Sequence, residues 1–194
     1  MIPMSLMSRR PPASGRKRSV LRRWGRDSQG TTAIEFAVVA LPFFFFSFGI
    51  MGLGLHFFTS SALENAVEQA ARKIRTGQAQ KEGKTLNDFK NMVCTAATGY
   101  IKCDTSLRVH IQSGANWSNI VPRPCLSNGA LNSSAGSSTD LVSSASGGAS
   151  QAVLVTVCYE WTLAQKLPFL MMGDLANGSA LIQASSTFRT EPYQ

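Results

Sequence analysis

Hydrophobic and polar positions fall into three regimes along the chain. The first thirty residues scatter a few apolar side chains among Arg, Pro and Ser. From Ala33 to Phe58 the sequence is almost unbroken in its apolarity, AIEFAVVALPFFFFSFGIMGLGLHFF, and Glu35 is the one side chain in it certain to be ionised at neutral pH. Beyond Phe58, Leu63, Ala66, Val67, Ala70, Ala71 and Ile74 recur at three- and four-residue spacings, with Glu64, Asn65, Glu68, Gln69, Arg72 and Lys73 between them. That is the signature of an amphipathic helix. No Pro or Gly separates it from the apolar run, so one helix from about Thr32 to Arg75 is predicted, with Gly77 as its C-cap. At 1.5 Å per residue it would be about 65 Å long.

A bilayer core needs about 20 helical residues, and the run is long enough to span it as a helix of residues 31–58, with 59–77 as an amphipathic extension. Pro42, Gly49, Gly52 and Gly54 would weaken a soluble helix but are common in lipid, where small residues allow close helix contacts. Pro42 and Gly49 are therefore helix-packing candidates within the span, and Leu63, Val67, Ala70 and Ile74 on the extension. The apolar face of that extension is expected to pack on the chain's own domain, a role that does not exclude neighbouring helices. A Glu68 and Arg72 pair at i,i+4 is expected to add a few tenths of a kcal/mol at best.

Residues 78–194 form the remaining domain. Lys81 to Lys84 reads as a loop and Leu86 to Cys94 as a short helix with Thr85 near its start. Strands are predicted at Leu107 to Ile111, Ala152 to Leu163 and, more weakly, Leu181 to Thr190; the Ser/Gly/Asn-rich stretch at 127–150 has little to bury and reads as a flexible loop. The expected fold class is α+β: a long N-terminal transmembrane and amphipathic helix followed by a small exported domain with an antiparallel β-sheet.

Charge changes this picture by fixing direction. Of the net +8, all but one unit lies in residues 1–30, where Arg9, Arg10, Arg16, Lys17, Arg18, Arg22, Arg23 and Arg26 stand against Asp27 alone. A nucleic-acid reader spreads basic residues over a folded face, so no nucleic-acid partner is expected. A basic leader before an apolar span keeps the N-terminus in the cytoplasm and exports the chain beyond the span. A cleaved secretory signal fits poorly, since the apolar run exceeds the usual length of about 7 to 15 residues and no A-x-A-like site closes it.

All four cysteines then fall on the exported side, where an oxidising compartment favours disulfides. Of the three connectivities, Cys94 with Cys103 and Cys125 with Cys158 is preferred on local proximity alone. No C-x-x-C occurs, and His56 and His110 are too scattered for a zinc site, so neither metal nor cofactor is expected. No nucleophile motif, phosphate loop or paired-carboxylate signature points to an enzyme. His110 reads as a strand surface residue, and Trp117, Tyr159 and Trp161 as core packing.

The residues at the membrane junction carry a resemblance. A basic leader, then Gln29-Gly30-Thr31-Thr32-Ala33-Ile34-Glu35-Phe36, then an apolar helix, resembles the processing site of type IV-like prepilins. QGTTAIEFAVVALPFFFF followed by ALENAVEQAARKIRTGQ resembles, more narrowly, the TadE-like minor pseudopilins of the tight-adherence (Tad, or Flp) pilus system. The strand segments Val153 to Tyr159 and Ser185 to Tyr193 also look like the closing strands of such proteins, while about 81–149 matches no motif. The TadF-like sister group is small and processed in the same way; TadG-like proteins carry a larger exported region than this one.

The resemblance implies a prepilin peptidase cutting after Gly30 on the cytoplasmic side, so that Thr31 becomes the new N-terminus. It implies that Glu35, at the fifth mature position beside Phe36, registers the subunit by pairing with a neighbour's freed amine. The implied partners are the prepilin peptidase, other pilins and pseudopilins of the Tad system, an inner-membrane assembly platform and membrane lipid. The implied function is assembly or capping of a Tad pilus used for adhesion, surface attachment and biofilm formation. The competing expectation is an unprocessed single-pass anchor whose exported domain binds a partner or ligand.

Overall fold

The computed structural model describes residues 30–192, other than Thr98, Tyr100, Asp104 and 134–139. The basic leader before Gly30, the centre of the 127–150 stretch and Tyr193 lie outside the described residues. Two compact units divide the chain, Met1–Phe46 and Ser47–Gln194. Helix α1, Thr31–Arg75, contributes to both.

In the first unit the described part is Gly30 and the start of α1. Pro42 lies inside the helix without ending it, although its missing N–H removes one rung of the hydrogen-bond ladder. Ile34, Phe36, Val38, Val39, Leu41 and Phe43 to Phe46 are all exposed. A soluble core helix would bury such side chains. An apolar helix that exposes them is compatible with a single-pass membrane protein.

The second unit is built on a three-stranded antiparallel sheet in the order β1-β4-β5, where β1 is Leu107–Gly114, β4 is Ala152–Trp161 and β5 is Ala180–Arg189. Register pairs Val109 with Val157 and Val157 with Ala184, so Val109, Ile111, Val153, Val155, Val157, Ile182 and Ala184 share one face. The end of α1 covers that face with Leu63, Ala66, Val67, Ala70 and Ile74, all essentially buried. Each large aliphatic side chain removed from water here contributes about 1.5 to 3 kcal/mol. The apolar face of the extension is therefore occupied by the chain's own sheet. Glu68 turns toward the sheet as well and accepts a hydrogen bond from the Ser186 hydroxyl at 2.7 Å. The expected Glu68 and Arg72 ion pair does not form among the described residues; Glu68 faces Ser186 across the interface.

Helix α1 ends where Gly77 takes a left-handed φ of 74° and its N–H bonds the Ile74 carbonyl at 3.0 Å. A side chain there would be strained. Its last turn is held to the chain's far end, where Glu191 N–H donates to the Arg75 carbonyl. After the short helix α2, Gln78–Lys81, helix α3 spans Leu86–Ala96. Thr85 accepts from the Asp88 N–H while the Asp88 carboxylate accepts from the Thr85 N–H, a reciprocal capping box. Those bonds to Thr85 hold the Asp88 carboxyl below its ordinary pKa. Phe89 and Val93 of α3 are fully buried in the same core.

The stretch 127–150 is not wholly a loop. A hairpin of β2, Leu126–Ser127, and β3, Ala130–Leu131, opens it, and helix α4, Val142–Ser146, closes it. Val142 and Ala145 dock α4 on the core. Val142 is fully buried, its N–H bonds the Lys84 carbonyl, and Ser146 accepts a hydrogen bond from Gln80.

Two 3-10 turns come after β4, Thr162–Lys166 and Pro168–Leu170. They bring a second segment against α1. A Cβ placed at Gly52 would meet Leu170 Cδ1 at 2.6 Å and Leu167 Cδ1 at 3.2 Å. A side chain there would push Leu170 and Leu167 aside, and Gly52 is buried although Met51 and Leu53 beside it are exposed. Just above, His56 stacks edge-on against Trp161 with ring centroids 5.2 Å apart.

Candidate functional site

Two places in the chain carry residues singled out for function, and the first is the start of α1. Gly30 is exposed, and Thr31 opens the helix directly after it. Among the described residues, nothing lies within 4 Å of where a Cβ on Gly30 would sit. Gly30 is itself in a 3-10 turn that runs straight into α1, and the described residues leave open the space that a side chain on it would take. Glu35 lies four residues on, one turn along the same face as Thr31. Its carboxylate is exposed on a helix whose neighbouring side chains are apolar, Phe36 among them at 70% exposure.

Glu35 forms no ion pair among the described residues. A carboxylate held in a membrane helix costs on the order of 2.5 kcal/mol at the centre and less near the interface, so a cation brought to it from outside the chain would be drawn strongly. The residues singled out for processing and registration are together here within a short run. The packing candidates are not with them: Leu63, Val67, Ala70 and Ile74 are spent on the sheet, and Gly49 faces Leu170, whose Cδ2 would lie 3.8 Å from a Cβ added there.

The second place is the far face of the sheet. Cys94 is bonded to Cys103 and Cys125 to Cys158, and the latter bridge ties the excursion between β1 and β4 to the central strand. Under it His110, Thr156 and Cys158 are buried on the face opposite the main core. His110 is thus not a surface residue. Strand alternation shows which face it occupies but is blind to what covers that face. Neither ring nitrogen has a hydrogen-bond partner among the described residues. Burial first, and the charge of Arg123 second, hold its pKa below the ordinary 6.5.

A base with a depressed pKa is favoured neutral in the folded state, so the unfolded chain binds the extra proton. Stability is then full above about pH 6.5 and falls as pH drops below that value. Thermal melting of the detergent-solubilised chain should therefore shift down between about pH 7 and about pH 5. His110→Phe should remove much of that slope; an unchanged slope would show that other groups set it.

Of the aromatic residues, Tyr159 and Trp161 are buried on the core face, while Trp117 is 54% exposed in the 3-10 turn Trp117–Asn119. The first two pack, and Trp117 does not.

Against known proteins, residues 30–72 match the family model described as TadE-like protein. The match begins at Gly30 and covers nearly all of α1, and it implies a protein associated with the Tad pilus. It does not extend to the C-terminal strands. Neither curated proteins nor solved structures give a match.

Proposed function

We propose that this chain, TadE-like over residues 30–72, is a minor pseudopilin that takes part in assembling or capping a Tad pilus for adhesion and surface attachment. It sits in the bacterial inner membrane with its leader in the cytoplasm and its disulfide-bonded domain in the periplasm. A prepilin peptidase removes the leader after Gly30. Glu35 then pairs with the amine that this cut frees on a neighbouring pilin or pseudopilin, which offsets the cost of its burial. The assembly platform receives the processed chain. The role is structural and not catalytic.

One observation carries the reading: an unobstructed glycine joins a basic leader to the first residue of an apolar helix, with a lone carboxylate at the fifth position from that junction. The two halves of the proposal separate experimentally. Glu35→Ala should leave the start at Thr31 unchanged while reducing co-purification with the other Tad pilins and surface pili at least about tenfold. Glu35→Asp, which keeps the charge, should retain part of both. Full co-purification of the alanine variant would remove Glu35 from any registering role.

A further inference from the structure

We propose that Leu167 to Met171 is a second membrane contact: an apolar loop that enters the outer leaflet of the bilayer beside α1, while Met172 turns back to the domain's core. The proposal rests on the reading of α1 as a membrane span. Three observations lead to it.

The first is depth. A bilayer core takes about 20 helical residues, and Gly52, on which this loop packs, stands in the last two turns of the 31–58 span. Leu167 and Leu170 touch α1 at Gly52, so the loop is held beside the outer end of the span.

The second is composition. LPFLMM is six apolar residues in a row, without a charge, between Lys166 and Gly173. A loop facing water is normally polar. Met171 is 93% exposed, with its backbone in the left-handed region at φ 48°, and Phe169 is 38% exposed. A β-propensity or core-packing argument explains neither exposure.

The third is continuity. Leu53, Leu55, Phe57 and Phe58 on α1 are also exposed, so the loop extends the apolar surface of the span sideways. Lys166 is exposed at the loop's start, placed for the phosphate of a lipid headgroup. The occupant of this surface is therefore lipid. Contact at two points rather than one restrains how the exported domain tilts over the membrane.

The test uses the full chain with single cysteines carrying an environment-sensitive fluorophore at Met171→Cys, Leu41→Cys and Val121→Cys. The four native cysteines are already in disulfides, so each new thiol is the only one to label. The protein is reconstituted in vesicles of phosphatidylcholine and phosphatidylglycerol, with plain or brominated acyl chains, and challenged with aqueous iodide. The label at 171 is expected to lose intensity in brominated lipid to an extent close to that at 41 and to resist iodide, while the label at 121 does the reverse. A label at 171 quenched by iodide like that at 121, with 41 still quenched by lipid, overturns the loop contact and leaves the span intact. Shielding of 171 from both quenchers overturns it in favour of a protein cover such as a second copy. Iodide quenching at 41 overturns the span itself, and the loop contact with it.

Discussion

A chain with lysine in place of Gly30 is expected to accumulate in the membrane at full length, with no product beginning at Thr31. The reason lies in where the glycine stands. It is exposed, and a side chain added there meets nothing within 4 Å, so the substitution costs the described fold no packing. A protease working on that bond, in contrast, must bring its own groups against the backbone, and a lysine side chain stands in the way. Processing reduced about a hundredfold corresponds to about 2.7 kcal/mol of lost transition-state stabilisation. Intact mass of the membrane-extracted protein reads this directly, and retention of both disulfides in the same sample shows that the domain has folded. A Thr31 start at undiminished yield would mean that the cut does not depend on glycine.

The second large effect concerns the disulfide-bonded domain. Removing the Cys125–Cys158 bridge by a double alanine substitution should cost more than removing Cys94–Cys103. Loop closure is the difference: the bridged residues are 33 apart in the first case and 9 in the second. The chain-entropy relation gives about 3.7 kcal/mol for the longer loop and about 2.6 kcal/mol for the shorter. Cys158 is also fully buried in the central strand, so its replacement leaves a small void in addition. At about 4 °C per kcal/mol for a domain of this size, melting should fall by about 15 °C in the first variant and about 10 °C in the second. The reverse order in a calorimetric or circular-dichroism melt would show that entropy of the unfolded loops does not dominate.

Local signals make the framework legible. The 3.6-residue period of Leu63, Val67, Ala70 and Ile74 is unambiguous, and it leads straight to a helix with one buried face. The β-branched run in β4 reads as a strand, and the structure buries it on both faces, with α1 in the core on one side. The helix-plus-antiparallel-sheet class emerges from those elements.

Tertiary contact decides the rest, and a linear pattern does not carry it. Val142 stands with Leu141 in an otherwise Ser-rich stretch, and its burial organises α4 through partners distant in sequence, such as Lys84. His110 alternates correctly for a strand, but its burial comes from tertiary contacts that periodicity cannot register. Gly52 reads in the sequence as one of several small residues in the span. Its purpose emerges only when Leu167 and Leu170 are seen against it. At the candidate site the situation is the opposite. Gly30, Thr31 and Glu35 lie close together in sequence, so the structure adds only that the junction is open and the carboxylate exposed.

The proposed role turns most directly on the N-terminal sequence of the unmodified chain recovered from membranes, in cells with and without their prepilin peptidase. The account predicts a start at Thr31 when the peptidase is present and at Met1 when it is absent. A start at Met1 in both would contradict it and leave an unprocessed anchor carrying a periplasmic domain.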